Sequence, residues 1–230
     1  MTSWKQYQRS KVELTGMSLS IVARLAQTLN ESFFSEQSMR ERTRLIKWAL
    51  APLGDEKDFK VYANQLEGCL PKPKDGGDWK NREWLYDLHW YTENEDRQNG
   101  YQPTSLPLVV ECEWSLKRRN LEKKVDKKDP FSGIKFDFQK LLVANAKLRL
   151  MIFKITRGKK SKANLVSDGC RCFDRPVEGI MEEIEPRLAV LDKYFDEAIE
   201  SYKHLKKHTE FLFIAVDQKA RRFYYTKKFK

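Results

Sequence analysis

The sequence has few cysteines and histidines and lacks the short signatures of several common enzyme classes. Cys170 and Cys172 are separated by a single residue and no second pair follows them, so the spacing does not fit a structural zinc site. We therefore expect reduced thiols. The chain contains no GxxxxGK[ST] phosphate-binding loop and no GxSxG nucleophile elbow. Nucleotide hydrolysis on a P-loop and acyl transfer at an elbow serine are thus not indicated.

Long apolar segments are also missing. No run approaches the roughly 18 apolar residues that a membrane-spanning helix needs, and residues 1–16 lack the apolar core of a signal peptide. We therefore expect a cytoplasmic protein with no membrane partner. Hydrophobic residues make up 40% of the 230 residues and charged residues 33%, which is typical of a folded chain with a hydrophobic core.

Positive charge is in clear excess. Lysine and arginine number 44 against 33 acidic residues, for a formal net charge of +11. A basic surface attracts polyanions such as nucleic acids. The basic segments 117–128 and 157–162 are candidates to contact a phosphate backbone, or are simply solvated loops. Charge alone favours nucleic acid only modestly.

The hydrophobic pattern predicts an α/β protein with a mixed central sheet flanked by helices. Residues 1–55 are expected to form an N-terminal helical segment packed on the core, without obvious chemistry, and residues 56–230 an α/β domain in the same structural unit. The helix over 36–51 is expected to stop at Pro52. The predicted elements are helices over 17–34, 36–51, 136–148 and 177–207, and strands over 83–91, 106–115, 148–155 and within 210–229.

Three acidic residues lie inside two apolar predicted strands of the first half, and Glu83, at the start of the first strand, is expected to be a solvated residue. Glu111 and Glu113 are two positions apart, so both carboxylates point to the same face of a strand, roughly 6–7 Å apart at Cα. Like charges so close are destabilising unless a cation lies between them. Asp87 lies in the preceding strand and joins them if the two strands pair. The pattern predicts a site for a hard divalent cation, Mg²⁺ or Mn²⁺.

Two alternatives to a metal site stay open for these acids. Alternation of acidic and apolar residues is ordinary on the solvent face of an antiparallel strand, and lysine or arginine on a neighbouring strand also neutralises such a pair. His89 shares the predicted face of Asp87, either beside the site or as a packed core histidine.

The run from Trp84 to Phe153 resembles the core of the PD-(D/E)XK, or restriction-endonuclease-like, superfamily. That family has an Asp on one strand, (D/E)-x-K on the next, and then a helix packed on the sheet. Asp87 matches the first Asp and Glu111 matches the (D/E), but Glu113 stands where Lys is usual. The segment DFQKLL over 137–142 resembles the helix of members in which a Gln or relocated Lys reaches the site, which matches Gln139 and Lys140.

The resemblance implies a metal-dependent nuclease that hydrolyses phosphodiester bonds in DNA. Asp87, Glu111 and Glu113 would bind Mg²⁺ or Mn²⁺, and Gln139 or Lys140 would act on the water or phosphate. The resemblance also leaves a homodimer open, because many such endonucleases pair two sites to cut two strands. The alternative is a catalytically inactive module of this fold that binds nucleic acid or a protein partner.

The predicted helix 136–148 raises one difficulty. Asp137 is expected to cap its start, and Phe138, Leu141, Leu142 and Asn145 to form its packed face. On that wheel Lys140 falls nearly opposite the packed face and Gln139 lies nearer to it.

Overall fold

The described part of the chain forms a seven-stranded mixed sheet with helices on both faces, which confirms the predicted fold class. The structure, a computed structural model, describes residues 3–36, 38–66, 85–93, 103–115, 129–156 and 178–230. No helix among these residues is both long and apolar enough to cross a membrane. The basic segments 117–128 and 157–162 lie outside the described residues, as do all cysteines except Cys112, which is a free thiol.

The sheet has a parallel centre and antiparallel edges. Its strands run in the order β1-β7-β6-β5-β4-β3-β2, and β4, β5 and β6 are parallel neighbours. The remaining pairs are antiparallel. The strands are β1 (Lys5–Gln6), β2 (Lys60–Tyr62), β3 (Leu88–Glu93), β4 (Pro103–Glu113), β5 (Ala146–Ile155), β6 (Glu210–Asp217) and β7 (Arg222–Phe229).

Helices cover the two faces from different parts of the chain. Helices α1, α2 and α3 share a hydrophobic core with one face, whereas α4 and α5 share a second core with the other. The N-terminal helices therefore pack on the sheet. The helices are α1 (Gly16–Thr28), α2 (Glu31–Ser35), α3 (Met39–Glu56), α4 (Ser132–Val143) and α5 (Glu178–Ser201), with a short 3-10 helix at Arg9–Lys11.

Strict alternation decides which core each strand residue joins. On β4, Leu108 and Val110 pack against the N-terminal helices and Val109 packs under α4 and α5. The alternation predicted for the strand that carries Glu111 and Glu113 is therefore confirmed. Glu111 and Glu113 follow Val109 on the α4 side, at the carboxyl end of the strand.

Helix α3 does not end at Pro52, so that prediction was wrong. The helix continues through Pro52 to Glu56 because tertiary packing holds its last turn. Gly54 lies so close to β2 and β3 that an added Cβ would approach Trp90 Nε1 and Val61 Cγ2 to 2.6 Å. The indole of Trp90 also donates a hydrogen bond to the Leu50 carbonyl oxygen at 3.2 Å. These contacts outweigh the amide hydrogen bond that proline cannot make.

Helix α4 begins four residues earlier than predicted and ends five residues earlier. Asp137 is therefore not its cap but lies in its middle. The carboxylate of Asp129 precedes the helix, where it accepts a hydrogen bond from the Phe131 amide at 2.8 Å and pairs with Lys135 at 2.7 Å. Phe138, Leu141 and Leu142 are buried as expected, but Asn145 lies beyond the helix and is exposed.

Candidate active site

Strand β3 places Asp87 beside the acids of β4. The strand begins at Leu88, later than the predicted start at 83, and Asp87 lies in the bend just before it. Leu88 pairs with Val110 in antiparallel register, so Asp87 stands across from Glu111. Asp87 Oδ2 accepts a hydrogen bond from the amide of Cys112 at 2.8 Å. Pairing of the two strands thus brings together the two acids that the sequence placed on separate strands.

Helix α4 adds a lysine to the same group. Lys140 Nζ lies 3.2 Å from Glu111 Oε2 and 2.9 Å from Asp137 Oδ1. Asp137 and Lys140 are three residues apart on a helix and therefore share a face. Partial burial acts to lower the pKa of Lys140, but hydrogen bonds and electrostatic interactions with both carboxylates raise it well above its usual range. The ammonium therefore stays protonated at neutral pH.

Glu113 completes the group on the α4 side. Its carboxyl hydrogen-bonds that of Asp137, and its Oε1 accepts from the amide of Ser115. A second carboxyl group in contact with Glu113 disfavours the charged form of Glu113. Burial and the Asp137 carboxyl raise the pKa of Glu113 to about 7, against the lowering effect of the Ser115 amide. We call Asp87, Glu111, Glu113, Asp137 and Lys140 the acidic cluster.

Glu111 is the least compensated member of the acidic cluster. It is only 3% exposed, and its Oε1 is buried without a hydrogen-bond partner among the described residues. Burial and the neighbouring Asp87 raise its pKa to about 8, although Lys140 opposes them. Burial also raises the pKa of Asp87, against Lys47 and the Cys112 amide. The cluster therefore holds more buried carboxylate than its own cation neutralises.

The chemistry of these donors fits a hard divalent cation. Mg²⁺ is commonly held by one or two carboxylates with waters in its other positions, and the buried Oε1 of Glu111 is a suitable ligand atom. Within the described ranges, however, no group of three or more His, Cys, Asp or Glu side chains is arranged to hold a metal. Glu111 and Asp87 are the residues that would hold one, with Glu113 adjacent.

Helix α3 contributes a cation that the sequence analysis did not identify. Lys47 is 5% exposed, donates to Asn64 Oδ1 and lies 3.8 Å from Asp87 Oδ1. The N-terminal helices, in which the sequence shows no obvious chemistry, thus bring a charged group to Asp87. A lysine between Ile46 and Trp48 gives no signal of burial, because lysine is normally on the surface.

The structure places Gln139 and His89 away from these contacts. Gln139 is exposed and hydrogen-bonds Tyr194 of α5, so the expectation that it lies nearer the packed face than Lys140 is wrong. His89 is fully buried and stacks on Tyr62 with ring centroids 5.1 Å apart. Burial lowers the His89 pKa to about 4, so it is a neutral packed residue at pH 7.

Gly133 sets the distance between α4 and β4. A Cβ at this position would lie 2.5 Å from the carbonyl oxygen of Ser115 and 3.2 Å from Glu113 Oε2. The first turn of the helix therefore touches the end of the strand backbone to backbone. This contact holds Asp137 and Lys140 over the acids of β4.

Comparison of the chain with protein-family models, curated proteins and solved structures returns no match. The resemblance to the PD-(D/E)XK superfamily therefore depends on the sequence motif between Trp84 and Phe153 alone.

Proposed function

We propose that the protein is a metal-dependent nuclease that hydrolyses phosphodiester bonds, with the acidic cluster as its active site. One observation carries this proposal: Asp87, Glu111 and Glu113 are gathered at the end of β4, with raised pKa values and a lysine ammonium 3.2 Å from Glu111. Buried acids with strongly perturbed pKa values are more frequent at functional sites than in ordinary ion pairs. A divalent cation is the partner that would compensate them.

The roles of the side chains follow from their charge. Asp87 and Glu111 would hold Mg²⁺ or Mn²⁺, which when bound supplies Lewis acidity toward a phosphate and an acidified water. Lys140 stays protonated, so it can contact a phosphate oxygen but cannot accept a proton. Lys140 would thereby have the role of the lysine that the PD-(D/E)XK superfamily usually has on the strand, at the position of Glu113. Gln139 would join only if its side chain left Tyr194.

DNA is the favoured substrate, because the resemblance implies it and the chain is strongly basic. Such a protein would act in the cytoplasm, where two copies would pair if both strands of a duplex are cut together. Both the location and the homodimer belong to this proposal.

The test is nicking of supercoiled plasmid by purified protein with Mn²⁺ or Mg²⁺. Glu111→Gln removes the ligand charge but keeps the side-chain shape, so we expect a loss of at least about a hundredfold in rate. Glu185→Gln makes the same change at an exposed position of α5 and should cut like the wild type. Equal cutting by wild type and Glu111→Gln would refute the proposed active site.

A second function is favoured by the absence of a ready-made metal group among the described side chains. Lys140 already pairs with Glu111 at 3.2 Å, and the Glu113 carboxyl hydrogen-bonds that of Asp137. The protein would then be an inactive member of the same fold that binds nucleic acid without metal. Salt-sensitive DNA binding in EDTA, unchanged by Glu111→Gln, with no cleavage of DNA or RNA, would establish this alternative.

A further inference from the structure

A basic cleft opens on the other side of Asp87 from Lys140. It has a volume of about 190 Å³ and lies between the first half of α3 and the turn after β2. Its wall contains three cationic side chains, one carboxylate and three neutral hydrogen-bonding side chains. The lining residues are Arg40, Thr43, Arg44, Lys47, Asn64, Gln65 and Asp87.

The three cations form one stripe of α3. Arg40, Arg44 and Lys47 are spaced at i, i+4 and i+7 and therefore share a helix face. Their exposure decreases along the stripe: Arg40 is exposed, Arg44 is half-buried and Lys47 is 5% exposed. The positively charged side chains of the stripe thus extend from the solvent to the carboxylate of Asp87. Asp87 belongs to both the cleft and the acidic cluster.

The contacts within the cleft leave it positively charged. Arg40 Nε donates to Gln65 Oε1 at 3.2 Å, which is a neutral partner. Arg44 pairs with Glu41 at 2.7 Å, so among the described residues the three cations of the cleft exceed the two carboxylates of Asp87 and Glu41. Both guanidinium groups are forked donors suited to phosphate oxygens.

Neutral hydrogen-bond donors and the lack of aromatic side chains among the described lining residues determine which ligand the cleft can bind. Thr43 Oγ1 accepts from Trp114 Nε1 at 2.8 Å, so its hydroxyl hydrogen can be donated to a ligand. In the part of the chain that the structure describes, no aromatic side chain lines the cleft, so its walls offer no ring on which a base could stack. They therefore suit a phosphate group and not a nucleobase.

We propose that this cleft is a phosphate-binding subsite that holds the backbone of a nucleic-acid strand beside the acidic cluster. The identity of the strand rests on the proposed nuclease function, whereas the cleft itself is defined by the cations of α3. A phosphate between Arg40 and Arg44 shares the cleft with Asp87, so the subsite positions the neighbouring phosphodiester toward the cluster.

Binding of a short fluorescein-labelled DNA duplex, followed by fluorescence anisotropy in EDTA at several salt concentrations, tests the subsite without catalysis. For the variant Arg40→Gln/Arg44→Gln we expect about tenfold weaker binding at moderate salt. The slope of log K against log salt should fall by about 1 for each phosphate group that the variant no longer neutralises. Arg40→Lys/Arg44→Lys retains both charges and should keep most of the slope.

The control variant is Lys206→Gln/Lys207→Gln, which removes two exposed charges before the amino-terminal end of β6, the end of the sheet opposite to Glu113. It should retain the wild-type slope. Wild-type binding by Arg40→Gln/Arg44→Gln, or an equal loss in the control, overturns the subsite. Because the binding assay contains no metal, its result is independent of cleavage. If plasmid nicking fails but the arginine variant still binds DNA more weakly, the nuclease is rejected and the subsite is kept. If nicking succeeds but the arginine variant binds like the wild type, only the subsite is rejected.

Discussion

Two clusters of lysine and carboxylate lie on the same face of the sheet. Burial acts to raise the carboxyl pKa values in both, but the net pKa shifts of the two clusters have opposite signs. Between β7 and α5, Lys228 Nζ contacts Asp192 at 2.8 Å and Asp196 at 2.7 Å. The Asp192 carboxylate also accepts from the hydroxyl of Ser3 at 2.7 Å and from its amide at 3.2 Å. Burial acts to raise the pKa of Asp192, but these hydrogen bonds lower it overall.

The acidic cluster at β4 shows the reverse, since the pKa values of Asp87, Glu111 and Glu113 are all raised. Similar side chains thus form a satisfied structural site on β7 and an under-neutralised site on β4. The sign of the pKa shift, and not the presence of buried charge, therefore separates the two.

The largest expected effect concerns Glu111 in metal-free protein. Its pKa is about 4.5 when unfolded and about 8 when folded, so between these values the folded state binds the extra proton. The free energy of unfolding should therefore fall with rising pH, by up to about 1.4 kcal/mol per pH unit. Glu111→Gln removes this contribution. Urea denaturation in EDTA from pH 5 to pH 8 should show a flatter dependence for the variant.

Glu113 titrates in the same window, so some pH dependence should remain in Glu111→Gln. The control is Glu185→Gln, which should keep the full wild-type dependence. Wild-type stability that rises from pH 5 to pH 8 would contradict the contrast with Asp192.

The second effect is at Lys228, whose side chain is 8% exposed. Lys228→Met leaves Asp192 partly buried without its cation and should lower the free energy of unfolding by about 3 kcal/mol at pH 7. The double variant Lys228→Met/Asp192→Leu replaces the pair with apolar groups and should recover much of the loss. A loss below about 1 kcal/mol in the single variant, measured by urea denaturation, would mean that the β7 cluster is not the better satisfied one.

A smaller effect is expected from Asp192→Asn. Because the folded pKa of Asp192 lies below its usual value, its stabilisation is present above the unfolded pKa and is lost as the pH falls through the folded one. The variant should lose about 1 kcal/mol at pH 7. Thermal unfolding should show this difference from the wild type shrinking toward pH 2, opposite in direction to the Glu111 effect. A difference that grows in acid would exclude the assigned sign.

The smallest expected change in the free energy of unfolding is at an exposed lysine–carboxylate pair, which tests the effect of burial at similar charge. Lys193 pairs with Glu197 at 3.7 Å on the same helix as Asp192, but the two side chains are 79% and 65% exposed. Lys193→Ala should change the free energy of unfolding by less than about 0.5 kcal/mol. A loss as large as that of Lys228→Met in the same urea assay would show that exposure does not distinguish the sites.

The fold and the placement of Glu111 and Glu113 on a strand could be predicted because both depend on local periodicity, whereas Asp87 lies in the bend before β3. Alternation on β4 correctly assigned Glu111 and Glu113 to the same face. The flanks of α4 could not be assigned in this way. A hydrophobic stripe identifies the buried arc of a helix but not which flank faces β4 and which faces α5. Gln139 was therefore expected to be the more buried of the two residues, whereas Lys140 is.

Lys47 escaped prediction for a different reason. Its role depends on a contact between α3 and the bend at Asp87, which are 40 residues apart in the chain, and the lysine itself differs in no way from a surface lysine. Asp137 was mistaken for a cap because acidic residues at helix starts are frequent. In both cases the information lies in tertiary packing, which a single sequence does not encode locally.

The contact at Gly133 has an evolutionary consequence. A single added methyl group at this position would force the helix away from the Ser115 carbonyl and separate Lys140 from Glu111 without altering any ionisable residue. The pairing of Lys140 with Glu111 therefore depends on a residue with no side chain. We expect a homologue that keeps all the acids and the lysine but has alanine at this position to have an altered site. A search based on charged motifs alone would find that homologue but would not reveal the change.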